Sequence, residues 1–142
     1  MRSISFVALA FAVAGCSPLG LERAYAKASD LPAQFHLECS VPRPVGNQLP
    51  KDTKDGFKLE VDLPARKFSI PWREGQWPLK EVKETKIVFI DYYVQRGLDN
   101  NPMEAKMSFD VPSGELTYRS IASARIRLDR SFTAKCKIVD HA

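Results

Sequence analysis

Histidine is nearly missing from this 142-residue chain, which holds only His36 and His141. Neither has a serine, cysteine or carboxylate neighbour at a triad spacing, so nucleophilic catalysis of the Ser-His or Cys-His kind has no visible carrier. Cysteine is scarce too, at three, and without clustered Cys and His a zinc site has no ligand set. The acids of Asp52-Thr53-Lys54-Asp55-Gly56 lack the alternating oxygens and closing Glu of a calcium loop and read as a turn. The pattern therefore predicts a non-enzyme with no catalytic residues, no metal and no cofactor. Seven glycines and ten prolines are too few for a collagen-like or linker-dominated chain, and no fixed-period repeat marks a solenoid. Charge of one sign is also missing: 21 basic and 17 acidic residues give +4, and removing residues 1–15 leaves +3. A balance that small carries no nucleic-acid footprint. A content of 44% hydrophobic and 27% charged residues excludes disorder over the whole chain and fits one globular domain.

What is present begins with an address. Arg2 precedes an uncharged apolar run, residues 4–15, of secretory length and too short to span a bilayer. The run ends in Val13-Ala14-Gly15-Cys16, which resembles the lipobox of bacterial lipoproteins. That resemblance implies acylation of Cys16, a lipid anchor in a membrane and, with Ser17 rather than Asp following, an outer-membrane lipoprotein facing the periplasm. The rival is Ala24-Tyr25-Ala26, an A-x-A site whose cleavage yields a soluble periplasmic protein beginning at Lys27. The expected organisation is a signal segment over 1–15, a tether over 16–32 and a single β domain over 33–142. With Cys16 acylated or removed, Cys39 and Cys136 remain, and an oxidising compartment favours their pairing. Such a bridge closes nearly the whole domain and contributes ~4–5 kcal/mol in the chain-entropy model.

Period two dominates the mature chain. Phe35, Leu37, Cys39 and Val41 alternate with polar residues, as do Phe57, Leu59, Val61 and Leu63, and again Ala105, Met107 and Phe109. Residues 67–72 form the hairpin partner of 57–63, and residues 115–120 that of 103–109, across Val111-Pro112-Ser113-Gly114. The prolines and Gly46 of residues 42–55 mark a loop, as do residues 71–78 with a Trp near either end. Residues 86–94 are almost continuously apolar, which predicts a strand buried on both faces or covered by a partner element. In the last run Ile126, Leu128, Phe132, Ala134, Cys136 and Ile138 hold one phase, and Arg130 breaks it, so a bend or bulge is expected at residues 129–131. The best helical candidate is one turn within residues 79–86. The fold class is all-β: a small antiparallel barrel or two-sheet sandwich of about seven or eight strands, its first and last strands joined by the disulfide. If those strands are adjacent, opposite residues have numbers summing to 175, which sets Glu38 against Lys137.

Three surface clusters offer binding chemistry. Trp72 and Trp77 bracket Arg73-Glu74-Gly75-Gln76, and Asp91 precedes Tyr92 and Tyr93; aromatic faces beside carboxylates and amides suit a glycan or peptide, or else ordinary packing. Arg125, Arg127, Lys135 and Lys137 share the outward phase of the last run and suit anionic lipid headgroups or an acidic partner, or else a solvated face. The address, size and cysteine placement are similar to those of the membrane-bound inhibitors of C-type lysozyme. Ser113-Gly114-Glu115-Leu116-Thr117-Tyr118 is one residue longer than their Ser-Gly-x-x-Tyr loop, and their Lys-Gly-x-x-Ala element is absent, so no membership follows. The expected function is a non-enzymatic cell-envelope module that binds an envelope protein or glycan. The alternative is a hydrolytic envelope enzyme using a carboxylate pair such as Glu74 and Asp91.

Overall fold

The computed structural model describes residues 25–96, 101–123 and 127–141. They form one antiparallel sheet curled into a half-barrel, with eleven strands: β1 (Gln34–Cys39), β2 (Arg43–Pro44), β3 (Phe57–Asp62), β4 (Lys67–Ile70), β5 (Arg73–Pro78), β6 (Glu81–Val82), β7 (Lys86–Arg96), β8 (Asn101–Asp110), β9 (Glu115–Ser123), β10 (Arg127–Asp129) and β11 (Phe132–Asp140). The main path runs β5-β4-β3-β1-β11-β9-β8-β7-β6, with β10 beside β9 and β2 beside β11. The half-barrel replaces the expected closed barrel or two-sheet sandwich. The count exceeds seven or eight for a physical reason. The strands β2, β6 and β10 have two or three residues and show no period, and β5 is hydrophilic except at Trp77. No helix among the described residues is long and apolar enough to cross a membrane.

Alternation builds the concave core. Strands β1 and β3 bury every second residue, so Phe35, Leu37 and Leu59 are fully enclosed, and Ile87, Phe109, Leu116 and Phe132 join them from the other strands. Each such side chain contributes about 1.5–3 kcal/mol by leaving water. The strands β1 and β11 pair as expected, from Phe35 opposite Asp140 to Glu38 opposite Lys137 and Cys39 opposite Cys136. The cysteines are bonded, with Cα atoms 4.0 Å apart. Ser40 N–H donates to Lys135 O, and Cys136 N–H turns the other way, to Gly114 O. That pattern marks a non-hydrogen-bonded pair, the closer of the two antiparallel spacings.

Two expected irregularities take a different form. The continuous apolar run of β7 is a β-bulge: its register against β8 shifts between Val88 and Ile90, so Phe89 and Ile90 both face the core. Before the bulge Ile87 and Phe89 point inward; after it Ile90 and Tyr92 do. No second covering element is needed. Residues 79–86, the helical candidate, instead carry β6, and the only helical turn among the described residues is a 3-10 turn at Ala28–Asp30. That turn lies in the segment assigned to a tether, yet Ala28 and Leu31 are buried in the core cluster and Ala28 N–H donates to Glu84 O.

The expected break after Asp129 separates β10 from β11. The proline-rich loop fills it. Asn47 and Gln48 N–H donate to Asp129 O, Val45 and Gly46 N–H donate to Ser131 O, and Asn47 Nδ2 donates to Arg127 O. A Cβ on Gly46 would meet the Asp129 backbone oxygen at 2.2 Å, so only glycine permits this approach.

Candidate functional site

The two ends of the sheet path, β5 and β6, are consecutive in sequence, and residues 79–80 link them. The half-barrel therefore has a seam between its edges. Strand β6 covers β7 only at Ile87 and Val88; from Phe89 onward β7 has β8 as its sole strand neighbour among the described residues, and β5 has only β4. Both walls of the seam are irregular. Strand β7 carries its bulge there, and the β4–β5 register shifts between Phe68 and Ile70, with three residues of β5 opposite Ser69. Gly75, at φ +85°, takes up the extra length, and a Cβ there would meet open space.

Phe68 and Phe89 meet across the seam, edge to face at 5.1 Å between centroids. Beside them lies a cavity of about 360 Å3 lined chiefly by Phe68, Trp77, Leu79, Phe89, Ile90 and Tyr92, with Arg73, Lys80 and Asp91 at its polar margin. Arg73 stacks on Trp77 at 3.8 Å from the ring centroid, which fixes the indole face by a cation–π contact. Trp77 Nε1 is shielded and has no hydrogen-bond partner, and the Tyr92 hydroxyl donates to Met103 Sδ at 3.7 Å. The volume, an apolar lining and a few convergent polar groups are the ordinary anatomy of a small binding pocket.

The expected aromatic residues divide. Trp77 and Tyr92 come together in the seam. Tyr93 is on the opposite face and exposed, as strand alternation demands. Trp72, in the β4–β5 turn, packs instead on Phe57, Tyr118 and Phe132 at 5.3–5.9 Å, forming an aromatic cap over the disulfide end of the core. Asp91 borders the cavity but Glu74 does not, so no carboxylate pair is assembled there. Of the basic group, Arg125 lies outside the described residues, as does the lipidation candidate Cys16. Lys135 lies within 3.9 Å of Glu115 and donates to Ser113 O, and Lys137 is opposite Glu38 on β1. Arg127 pairs with Ser123 and Lys135 with Glu115, eight residues apart along β9 or on the order of 26 Å at ~3.3 Å per residue, too far for one patch.

A second cluster lies on the convex face, built around two histidines 105 positions apart in the chain. His36 is directly opposite Glu60 on β3, and His141, just past β11, folds over them. His141 Nε2 is 2.6 Å from Glu60 Oε2, the imidazoles are 5.0 Å apart, and one ligating atom from each of the three residues lies within 4.8 Å of the others. His36 Nε2 is 3.2 Å from Glu38 Oε1, and His36 Nδ1 is shielded from solvent without a partner. The hydrogen bond with His36, aided by Lys58 at 3.5 Å, holds the Glu38 carboxyl below its ordinary range. His36 was expected on the solvent face; with the His141 ring 5.0 Å away its side chain is 14% exposed.

No protein-family model, curated protein or solved structure is similar to this chain, so its geometry carries the functional argument.

Proposed function

We propose that the protein is a non-enzymatic module of the bacterial cell envelope, anchored through Cys16, that holds an extended apolar segment of an envelope partner in the seam between β5 and β7. The observation that carries this reading is the apolar cavity of about 360 Å3 between two strand edges that, among the described residues, have no neighbour on the seam side past Val88. A peptide laid there gains main-chain hydrogen bonds from an edge and side-chain burial against Trp77, Phe89 and Tyr92, the mode of recognition by strand addition. The apolar lining favours a peptide over a glycan, which needs more polar partners than Arg73, Lys80 and Asp91 at the margin. The disulfide and the lipobox-like Val13-Ala14-Gly15-Cys16 support the address. A mature N-terminus at Lys27 would replace anchoring by a soluble periplasmic state and leave the seam reading untouched.

Alternation supplies the experiment. A photocrosslinking residue at Tyr92 faces the cavity, and the same residue at Tyr93 faces away. In the native envelope a discrete protein adduct is expected from position 92 and not from position 93. Equal adducts from both positions, or none from 92, would refute the seam as the binding site.

A further inference from the structure

We infer that His36, Glu60 and His141 form a binding site for a divalent transition-metal ion of the zinc type on the convex face of the sheet. The chain brings one ligand from each of three adjacent strands or their ends: Glu60 from β3, His36 from β1, and His141 from the end of β11. Two neutral imidazoles and one carboxylate are a recurring three-protein-ligand set for zinc, with a further position left to water or an exogenous ligand. Imidazole nitrogen selects against calcium and magnesium, which take oxygen ligands.

Three features of the cluster go beyond proximity. His36 is held from outside by Glu38, so a hydrogen on Nε2 leaves Nδ1 with a lone pair, and that nitrogen is shielded and unpartnered. A carboxylate that holds one ring nitrogen of a histidine, and so fixes the tautomer that leaves the other nitrogen free for a metal, is the usual companion of a metal-binding histidine. The spacing is within reach of binding. Donors on one tetrahedral ion at ~2.0–2.1 Å lie roughly 3.4 Å apart, against a present spread of 4.8 Å. Turns of the Glu60 and His141 side chains, 53% and 43% exposed, supply the difference without moving the sheet. Finally, Glu60 and His141 border a polar groove of about 380 Å3 that also presents Gln34, Asp62, Lys67 and Ser69, which gives the remaining coordination position access to solvent and to small ligands. The site is on the outer face of β1, whereas the seam cavity lies between β5 and β7, so the two stand or fall separately.

The test uses the full chain in detergent, without a histidine tag, titrated with Zn2+ in competition with a chromogenic chelator and with Co2+ followed by its visible absorption. Wild type is expected to take one equivalent of Zn2+. His141→Gln, which alters an exposed side chain past the last strand, is expected to weaken binding at least tenfold with an unchanged melting temperature. His36→Gln and Glu60→Gln should each do the same. Glu38→Gln should weaken binding about tenfold while keeping the Co2+ spectrum, the mark of a positioning residue rather than a ligand. Wild-type affinity no greater than that of the double variant His36→Gln/His141→Gln would overturn the site. So would a Co2+ spectrum that survives in that variant. If His36→Gln lowers the melting temperature, His141→Gln decides the question alone.

Discussion

The β1–β11 side of the half-barrel and its seam side obey different rules. Along β1 and β11 five successive residue pairs keep one register, a disulfide joins the last pair, and both flanking strands continue the ladder. Across the seam the register slips in both walls, the facing strand edges have no strand partner among the described residues, and contact is made by side chains such as Phe68 and Phe89. One sheet thus concentrates its cohesion on one side and leaves the other open to a ligand. A half-barrel permits this where a closed barrel does not, because closure would use the edge groups of β5 and β7 for the sheet itself.

The sharpest way to break the contrast is to remove the bridge. Cys39 and Cys136 are 97 residues apart, and replacing both with Ser is expected to cost ~4–5 kcal/mol in urea unfolding. A loss below about 2 kcal/mol would mean that the paired strands hold without the bridge, and cohesion would not be concentrated there. At temperatures where the variant stays folded, binding of a hydrophobic dye to the seam should be unchanged.

Core truncation probes the same contrast at a finer scale. Phe132 has no exposed surface and contacts Phe57, Trp72 and Tyr118, so Phe132→Ala should cost about 4–5 kcal/mol. Phe89 is equally buried, but its site adjoins an existing cavity. Phe89→Ala should therefore cost less, about 3 kcal/mol, while enlarging the pocket for the dye. Equal losses at the two positions would mean the seam is packed as firmly as the bridged side.

Two glycines repeat the comparison in the backbone. Gly46→Ala forces a methyl group into the Asp129 carbonyl and should cost about 2–3 kcal/mol by displacing the loop that fills the β10–β11 break. Gly75→Ala meets no atom within 4 Å and bears only the torsional penalty of a positive φ, about 1 kcal/mol. Calorimetry of the two variants reads the difference directly.

How much of this was legible in the sequence follows the same division. The bridged side is built from long alternating strands, so its inward residues within β1 and β11, the break at Asp129 and, once the two strands are neighbours, the pairing of positions that sum to 175 follow from period two and two cysteines; Val41 and Leu128, in the same phases, lie beyond the ends of those strands and are exposed. The seam is built from departures from that period. The bulge at Phe89 turns two alternating phases into what reads as one apolar run, and β5, with Gly75 and a single inward aromatic, has no alternation to read. The convex cluster was hidden for another reason. His36 and His141 are 105 positions apart, and only the return of β11 beside β1 brings them together, although the register that pairs Gln34 with position 141 already placed the second histidine diagonally across from the first.

Acid should weaken the bridged side before the seam, and this is the smallest effect expected. Asp129 and Asp110 are held below the ordinary carboxylate range, each chiefly by a hydrogen bond from a serine side chain two or three residues on, Ser131 and Ser113. Each also accepts a backbone N–H from the same serine, at 3.0 and 3.1 Å. A carboxyl whose folded value is depressed stabilises the fold fully above its unfolded value, roughly 4, and loses that contribution as pH falls through the folded value. Both groups serve the bridged side. Asp129 closes the break before β11, and Asp110 opens the turn whose Gly114 carbonyl receives the Cys136 N–H. Amide exchange of Ser131, Ser113 and Cys136 should therefore accelerate between pH 5 and pH 3 by about severalfold more than that of residues 68 and 77, after correction for intrinsic rates. Asp129→Asn and Asp110→Asn should each flatten that response at its own serine and leave the other unchanged. Acceleration shared equally by the seam strands would show that acid loosens the sheet as a whole, and the two sides would then differ in packing and covalent restraint but not in their response to protonation.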